Sequence, residues 1–443
     1  MLKKFRDALK VKDIRNKLIY TFFAIIIVRI GSQLPIPGVD RNYFSSWFNG
    51  QTQLSFFDAM TGGSFSTMSV FALSITPYIT SSIIMQLLTI AIPSLEELQK
   101  DGEEGRKKIN EWTRYIAVVL AIMESAAMAI GFGNKGYFEN GNFGVTAVVI
   151  SVVSLTAGST FLMWLGERIT EKGVGNGISI ILLVNIISRI PQDLVSLYNQ
   201  FVKGSVGAKA VAVFVIAAII IAMVVFIIIL SDGERRISVQ YAKKLQGRKM
   251  VGGQSSHIPL KVNTAGVIPV IFAGSLLSFP IVIASFFGVQ PASGEVHIFQ
   301  KFLKVCNQDA WCNFSNIYEL KYTLGLLVYI ALIIFFAYFY TSVTFNPIEV
   351  SNNMKKQGGF IPGIRPGKPT TDYLTKVLNS IILIGAIGLT IVAVIPIFFS
   401  GAFNASVSFS GTSLIIIVGV VLETMKQIDS QMLVRHYKGF LGE

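Results

Sequence analysis

The chain has 443 residues, of which 52% are hydrophobic and 14% charged, and a net charge of +13; a soluble domain carries about 25% charged residues. A mean hydropathy of +0.59 and the gathering of apolar residues into long runs exclude an ordinary soluble fold. The basic residues lie in the gaps between those runs rather than on one polar face, which argues against nucleic-acid binding.

A helix crosses a bilayer core of roughly 30 Å with about 20 apolar residues, and only helix satisfies the backbone of such a run in hydrocarbon. In chain order the sequence predicts spans over Leu18–Leu34, Phe71–Ile92, Tyr115–Phe132, Val145–Leu165, Ile178–Leu194, Ala210–Leu230, Val267–Phe287, Tyr322–Phe345, Val377–Phe399 and Ser413–Ile428. The start, Met1–Lys17, is polar and basic, and no small-residue cleavage site follows the first run, so that run is expected to stay in the membrane. Leu54–Ser69 (LSFFDAMTGGSFSTMS) is too short and polar to cross. It is expected to form a re-entrant piece inside the bundle, because irregular backbone at membrane depth survives only within protein or water. The fifth span opens on Gly173–Ser179 (GVGNGIS) and soon meets Ser188, Arg189 and Pro191, a short, interrupted segment of the kind that lines a cavity. Two runs carry an isolated charge: Arg29, expected to snorkel outward, and Glu124, expected to face a wet interior.

Ten spans put both termini on one side. Most of the 38 Lys and Arg residues fall in the N-terminus, the second–third, fourth–fifth, sixth–seventh and eighth–ninth connections and the C-terminus. The excess of positive charge in cytoplasmic segments then places both termini in the cytoplasm. Two of these connections, Ser231–Asn263 and Asn346–Lys376, are longer than bundle loops usually are. The second holds Phe360–Thr371 (FIPGIRPGKPT), a proline-rich tip that offers Arg365 as a point charge to a partner groove.

Catalytic signatures are absent. Gly363–Pro369 has the wrong glycine spacing for a phosphate-binding loop and a proline where Ser or Thr must reach magnesium. There is no HExxH, no GxSxG and no carboxylate pair within a span. His257, His297 and His436 are scattered, and Cys306 and Cys312 share one hydrophilic loop, so no metal site is expected. The reading is of a chain that is not an enzyme and uses no cofactor.

Six stretches in order carry a family resemblance: Pro35–Gly38 (PIPG), Ile75–Thr89 (ITPYITSSIIMQLLT), Phe161–Ile180 (FLMWLGERITEKGVGNGISI), Gln254–Phe272 (QSSHIPLKVNTAGVIPVIF), Phe345–Val350 (FNPIEV) and Gly359–Gly367 (GFIPGIRPG). The chain resembles the SecY family of protein-conducting channels along nearly its whole length. The resemblance implies an all-α integral membrane protein of ten transmembrane helices in two inverted halves, 1–205 and 206–443, with long cytoplasmic loops at 231–263 and 346–376 and a re-entrant plug at 55–69.

Residue by residue it implies a pore ring of Ile75, Ile79, Ile178, Leu182, Ile271 and Ile416. A ring of branched apolar groups dewets and blocks ions. The plug falls on Phe57, Asp58, Ala59, Met60, Thr61, Gly62, Gly63, Ser64, Phe65, Ser66, Thr67, Met68 and Ser69. Gln86 and Asn263 sit in matching lateral-gate motifs, where polar groups bond across helices. Arg248, Lys249 and Arg365 are implied to bind partners.

The partners so implied are the SecE and SecG subunits, the SecA ATPase, the ribosome, a preprotein or signal sequence, and membrane lipid. The function implied is translocation of unfolded preproteins across the plasma membrane and lateral insertion of hydrophobic segments into it. A secondary transporter of small solutes is the alternative. It expects several midplane carboxylates and gives no account of the GIRPG tip. For the outer loop Val289–Lys321 the family offers no role, and its cysteines are read equally as a disulfide or as free thiols.

Overall fold

A computed structural model describes residues 9–41, 44, 58, 60–133, 138, 144–201, 206–241, 244–246, 249–251, 255–286, 298–307, 311, 320–403 and 411–440. Its helices in chain order are α1 (Lys12–Gly31), α2 (Thr76–Ala91), α3 (Pro93–Lys100), α4 (Glu103–Gly133), α5 (Val145–Lys172), α6 (Gly177–Phe201), α7 (Val206–Asp232), α8 (Ile268–Phe286), α9 (Ile298–Cys306), α10 (Leu324–Thr344), α11 (Pro347–Lys356), α12 (Lys368–Phe403) and α13 (Gly411–Phe440). Each of the ten expected spans coincides with one of them. Among the described residues six helices are long and apolar enough to cross a membrane unaided, and α2 with α3 makes a seventh candidate bent by 102°.

Local chemistry sets the ends. Pro77 opens α2, and extended Ile92 before Pro93 breaks it from α3, since the residue before proline is pushed out of helical backbone. The second span therefore starts five residues later than expected, with 70–75 in turns. Asn176 caps α6, its Oδ1 accepting from the amides of Ile178 (3.1 Å) and Ser179 (3.4 Å). The expected glycine-rich opening, 173–176, is non-helical, but Pro191 does not end the span: α6 continues through it to Phe201.

The chain divides into two compact units. The first comprises Met1–Phe201, Phe279–Asp309 and Ser406–Glu443; the second comprises Val202–Ser278 and Ala310–Ala405. Within the first, α2 packs on α4, α4 on α5, α5 on α6, α6 on α13, and α1 on both α5 and α6. Outward faces stay apolar: Phe22, Phe23 and Ile30 of α1 and Met123 of α4 are all exposed. Water would penalise such faces and lipid does not.

In the second unit the two long connections are not simple loops. Four strands follow α7: β1 (Glu234–Tyr241), β2 (Lys244–Gln246), β3 (Lys249–Val251) and β4 (Ser255–Lys261); β5 (Gly359–Phe360) follows α11. The sheet order is β4-β1-β5, all antiparallel, with Ile237 opposite Ile258 and Gln240 opposite Phe360. β1 alternates exposed Arg236 and Ser238-side polar positions with buried Ile237 and Val239, the pattern of a half-buried strand. Those side chains join Leu260, Met354, Ile361, Leu374, Val377 and Ile381 in one core. Both expected loops thus fold into a single body fixed to the start of α12.

Candidate functional site

The segment between α1 and α2 is a compact, turn-rich body. It is stitched to the end of α1: the Ile36 amide donates to Met68 O (3.1 Å) and the Val70 amide to Leu34 O (2.9 Å). Its Phe65, Met68, Ala72 and Leu73 are buried with Ile36, Val39, Phe44, Met128 of α4 and Leu155 of α5. Its polar groups satisfy one another. Asp58 Oδ1 accepts from the Ser66 amide (2.7 Å), the Phe65 amide donates to Thr61 Oγ1 (3.2 Å), and Thr67 Oγ1 donates to Gly63 O (2.9 Å). Self-satisfaction is what irregular backbone needs away from water. Of the expected plug, Phe57 and Ala59 lie outside the described residues; Asp58, Met60, Thr61, Gly62, Gly63, Ser64, Phe65, Ser66, Thr67, Met68 and Ser69 form this body.

The body is seated on α6. Gly62 has φ +69°, and a Cβ there would meet Asn185 Cα and O at 2.8 Å, so only glycine sits this close. Gly62 O accepts from the Arg29 guanidinium (3.5 Å) and lies 3.4 Å from Ser188 Oγ, whose hydroxyl donates to Asn185 O (2.6 Å). Arg29 therefore does not snorkel outward as expected; the nearby carbonyl offers it a partner inside the bundle. Asn185 Nδ2 donates to Ser74 Oγ (3.0 Å), and Asp58, 0% exposed, pairs with Arg189. Met68 (φ +43°) and Ser74 (φ +51°) hold left-handed backbone, which costs a residue with a side chain about 1–3 kcal/mol. The pairing of Arg189 with Asp58 escaped the sequence reading. The one signal for it was an arginine inside an apolar span.

Four of the expected ring residues are buried: Ile75 at the start of α2, Leu182 on α6, Ile416 on α13 and Ile271 on α8. Ile79 on α2 and Ile178 on α6 are half-buried. Because α6 packs on α13, Ile178, Leu182 and Ile416 stand on neighbouring helices; Ile271 belongs to the second unit. Gln86 is half-buried on α2. Asn263 lies in the turn between β4 and α8, and its Oδ1 is buried without a donor among the described residues. Such an acceptor is costly unless a partner supplies one.

Of the expected docking residues, Arg248 lies outside the described residues, and Lys249 opens β3, which pairs with β2. Arg365 is exposed at a fixed tip. Thr370 Oγ1 donates to Arg365 O (2.9 Å), Ser351 Oγ to Gly367 O (3.1 Å), and the Ile364 amide to Ile361 O (3.0 Å). The backbone is held while the guanidinium is presented, with no carboxylate paired to it among the described residues. In the connection between α8 and α10, Cys306 ends α9 as a free, buried thiol, and burial pushes its pKa up; Cys312 lies outside the described residues. Glu124 is half-buried on α4.

Comparison with known proteins agrees with this arrangement. The SecY family profile matches residues 69–425. The chain is 41% identical over its whole length to the protein translocase subunit SecY of Halalkalibacterium halodurans and 42% identical to that of Bacillus subtilis, each matched along its whole length too. Thermotoga maritima SecY is 38% identical, with 98% of it covered. Among solved structures, a protein-conducting channel superposes with a TM-score of 0.63 at 18% identity, covering 95% of this chain and 93% of that one. Sec61 from the canine ribosome–channel complex superposes at 0.61 and 17%, covering 95% and 93%; at such identities the likeness speaks to the fold. The chain belongs to the SecY family.

Proposed function

We propose that this chain is the channel-forming subunit of a protein translocase. It passes unfolded preproteins across the plasma membrane and releases hydrophobic segments sideways into lipid. The observation that carries the reading is the turn-rich body at 58–74: a self-satisfied polar segment packed among apolar helices and seated by one face on α6. A fixed bundle has no use for such a piece, whereas a resting seal does. Ile75, Ile79, Ile178, Leu182, Ile271 and Ile416 form the apolar waist, with the 1–205 and 206–443 halves closing around it. Gln86 and Asn263 are the polar residues of the lateral gate, a role supported by an Asn263 Oδ1 that is buried without a donor among the described residues.

The chain lies with both termini in the cytoplasm, which puts the folded β1–β5 body where a driving partner reaches it. Arg365, Arg248 and Lys249 dock SecA or the ribosome; the canine relative was solved on a ribosome, and basic residues suit RNA through counterion release. SecE and SecG complete the complex. The chain itself does no catalysis, and the motor supplies the energy.

The test is reconstitution with SecE, SecG, SecA, ATP and a preprotein in proteoliposomes. The preprotein becomes protected from added protease only when ATP is present, and Arg365→Glu abolishes that protection while the complex still assembles. Absence of ATP-dependent protection with the unaltered chain contradicts the channel reading. Full protection with Arg365→Glu contradicts the docking role.

A further inference from the structure

The Asp58–Arg189 pair joins two parts that a seal must be able to separate. Asp58 is fully buried, and its Oδ1 is tied to the Ser66 amide, so the carboxylate belongs to the body's own fold and travels with it. Arg189 belongs to α6 and is fixed in the bundle. One turn further along α6 stands Asp193, 7% exposed and four residues beyond Arg189; residues four apart share a helix face. The other polar groups at the seat are engaged elsewhere: Ser188 donates to Asn185 O, Arg29 reaches Gly62 O, and Asn185 Nδ2 reaches Ser74.

A buried ion pair adds little against a well-packed apolar alternative, yet removing one partner leaves a costly uncompensated charge. The pair is therefore poor glue. It is effective at penalising any state that strands a charge. If Arg189 had only Asp58, every opening would leave a cation alone in the bundle. Asp193 removes that penalty.

We propose that Asp58, Arg189 and Asp193 form a charge-exchange latch. With the body seated, Arg189 is shared between the two carboxylates. When the body leaves, Arg189 passes to Asp193, and Asp58 goes out with the moving segment into water. Asp58 and Arg189 thereby set how firmly the seal rests, and Asp193 sets how easily it lets go. The inference rests on the reading of 58–69 as a displaceable seal.

The test is the open fraction of the reconstituted complex in planar bilayers. Asp58→Asn and Arg189→Gln each raise it about tenfold or more, and the double variant opens no more than the worse single one, because both remove one interaction. Asp193→Asn lowers the open fraction below that of the unaltered chain, a change of sign that misfolding does not imitate. Multiplying effects in the double variant, no effect of either single one, or a rise with Asp193→Asn each overturns the latch. A chain lacking residues 58–69 separates the two levels. If it leaks while Asp58→Asn and Arg189→Gln do not, the latch alone falls; if it does not leak, the seal reading falls with it.

Discussion

Replacing Ile79 and Ile178 together by alanine is expected to raise the resting ion conductance of the reconstituted complex about tenfold or more. A constriction of branched apolar side chains excludes ions by staying dry, and each Ile→Ala change removes three carbons from that wall. The choice of positions follows from burial. Ile75 and Leu182, at 0% and 6% exposed, sit in packed surroundings, where truncation to alanine costs about 2–5 kcal/mol. A leak from those variants would be confounded with loss of the fold. Ile79 and Ile178 are half-buried, so their truncation costs less, and alanine keeps the propensity of α2 and α6. Ile83→Ala, one turn beyond Ile79 on α2, serves as the comparison and should leave conductance unchanged. Equal conductance in the double variant and the unaltered chain would mean that the ring is not at these positions.

Gly177→Val is expected to be strongly damaging to the fold of the first unit. A Cβ at Gly177 would run into the backbone oxygen of Gly166 and come within 2.7 Å of Ile169 Cβ. Backbone cannot swing aside as a side-chain tip can, so α5 and α6 must separate. Forced overpacking costs about 1–3 kcal/mol, and more when backbone moves. The same shift strains the hydrogen bond from the Gly177 amide to Thr170 Oγ1 (2.8 Å), which anchors the start of α6 between the Asn176 cap and Ile178. The purified variant should lose its monodisperse elution at a markedly lower temperature. Gly144→Val, where a Cβ meets only Thr146 Oγ1 at 3.6 Å, should elute like the unaltered chain. Equal thermal midpoints for the Gly177 and Gly144 variants would contradict the close α5–α6 crossing.

The helices were legible because hydrocarbon imposes one answer on a long apolar run: each expected span coincides with a helix, from α1 to α13. Boundaries were less legible. Apolar content alone starts the second span at Phe71, yet Pro77 and the left-handed Ser74 delay the helix to Thr76. The β1–β4–β5 sheet is not legible in the sequence because it pairs residues of two separate connections, Gln240 with Phe360, and neither connection buries an apolar face without the other. Gly62-Gly63 could be read as flexible, but the need for glycine at 62 comes from the backbone of Asn185 on a distant helix. Arg29 and Arg189 were visible as charges in apolar runs, and their common destination in one short segment was not. The ring residues rested on family resemblance, since isoleucine fills every span alike.

The most direct measurement of a polypeptide path through this chain is a photo-crosslinker placed at Ile79, with a preprotein stalled during translocation in the reconstituted complex. The account predicts an adduct with the preprotein at Ile79 that depends on SecA and ATP, and none at Phe214, which is exposed on the outer face of α7. No adduct at Ile79, or the same yield at Ile79 and Phe214, would contradict it.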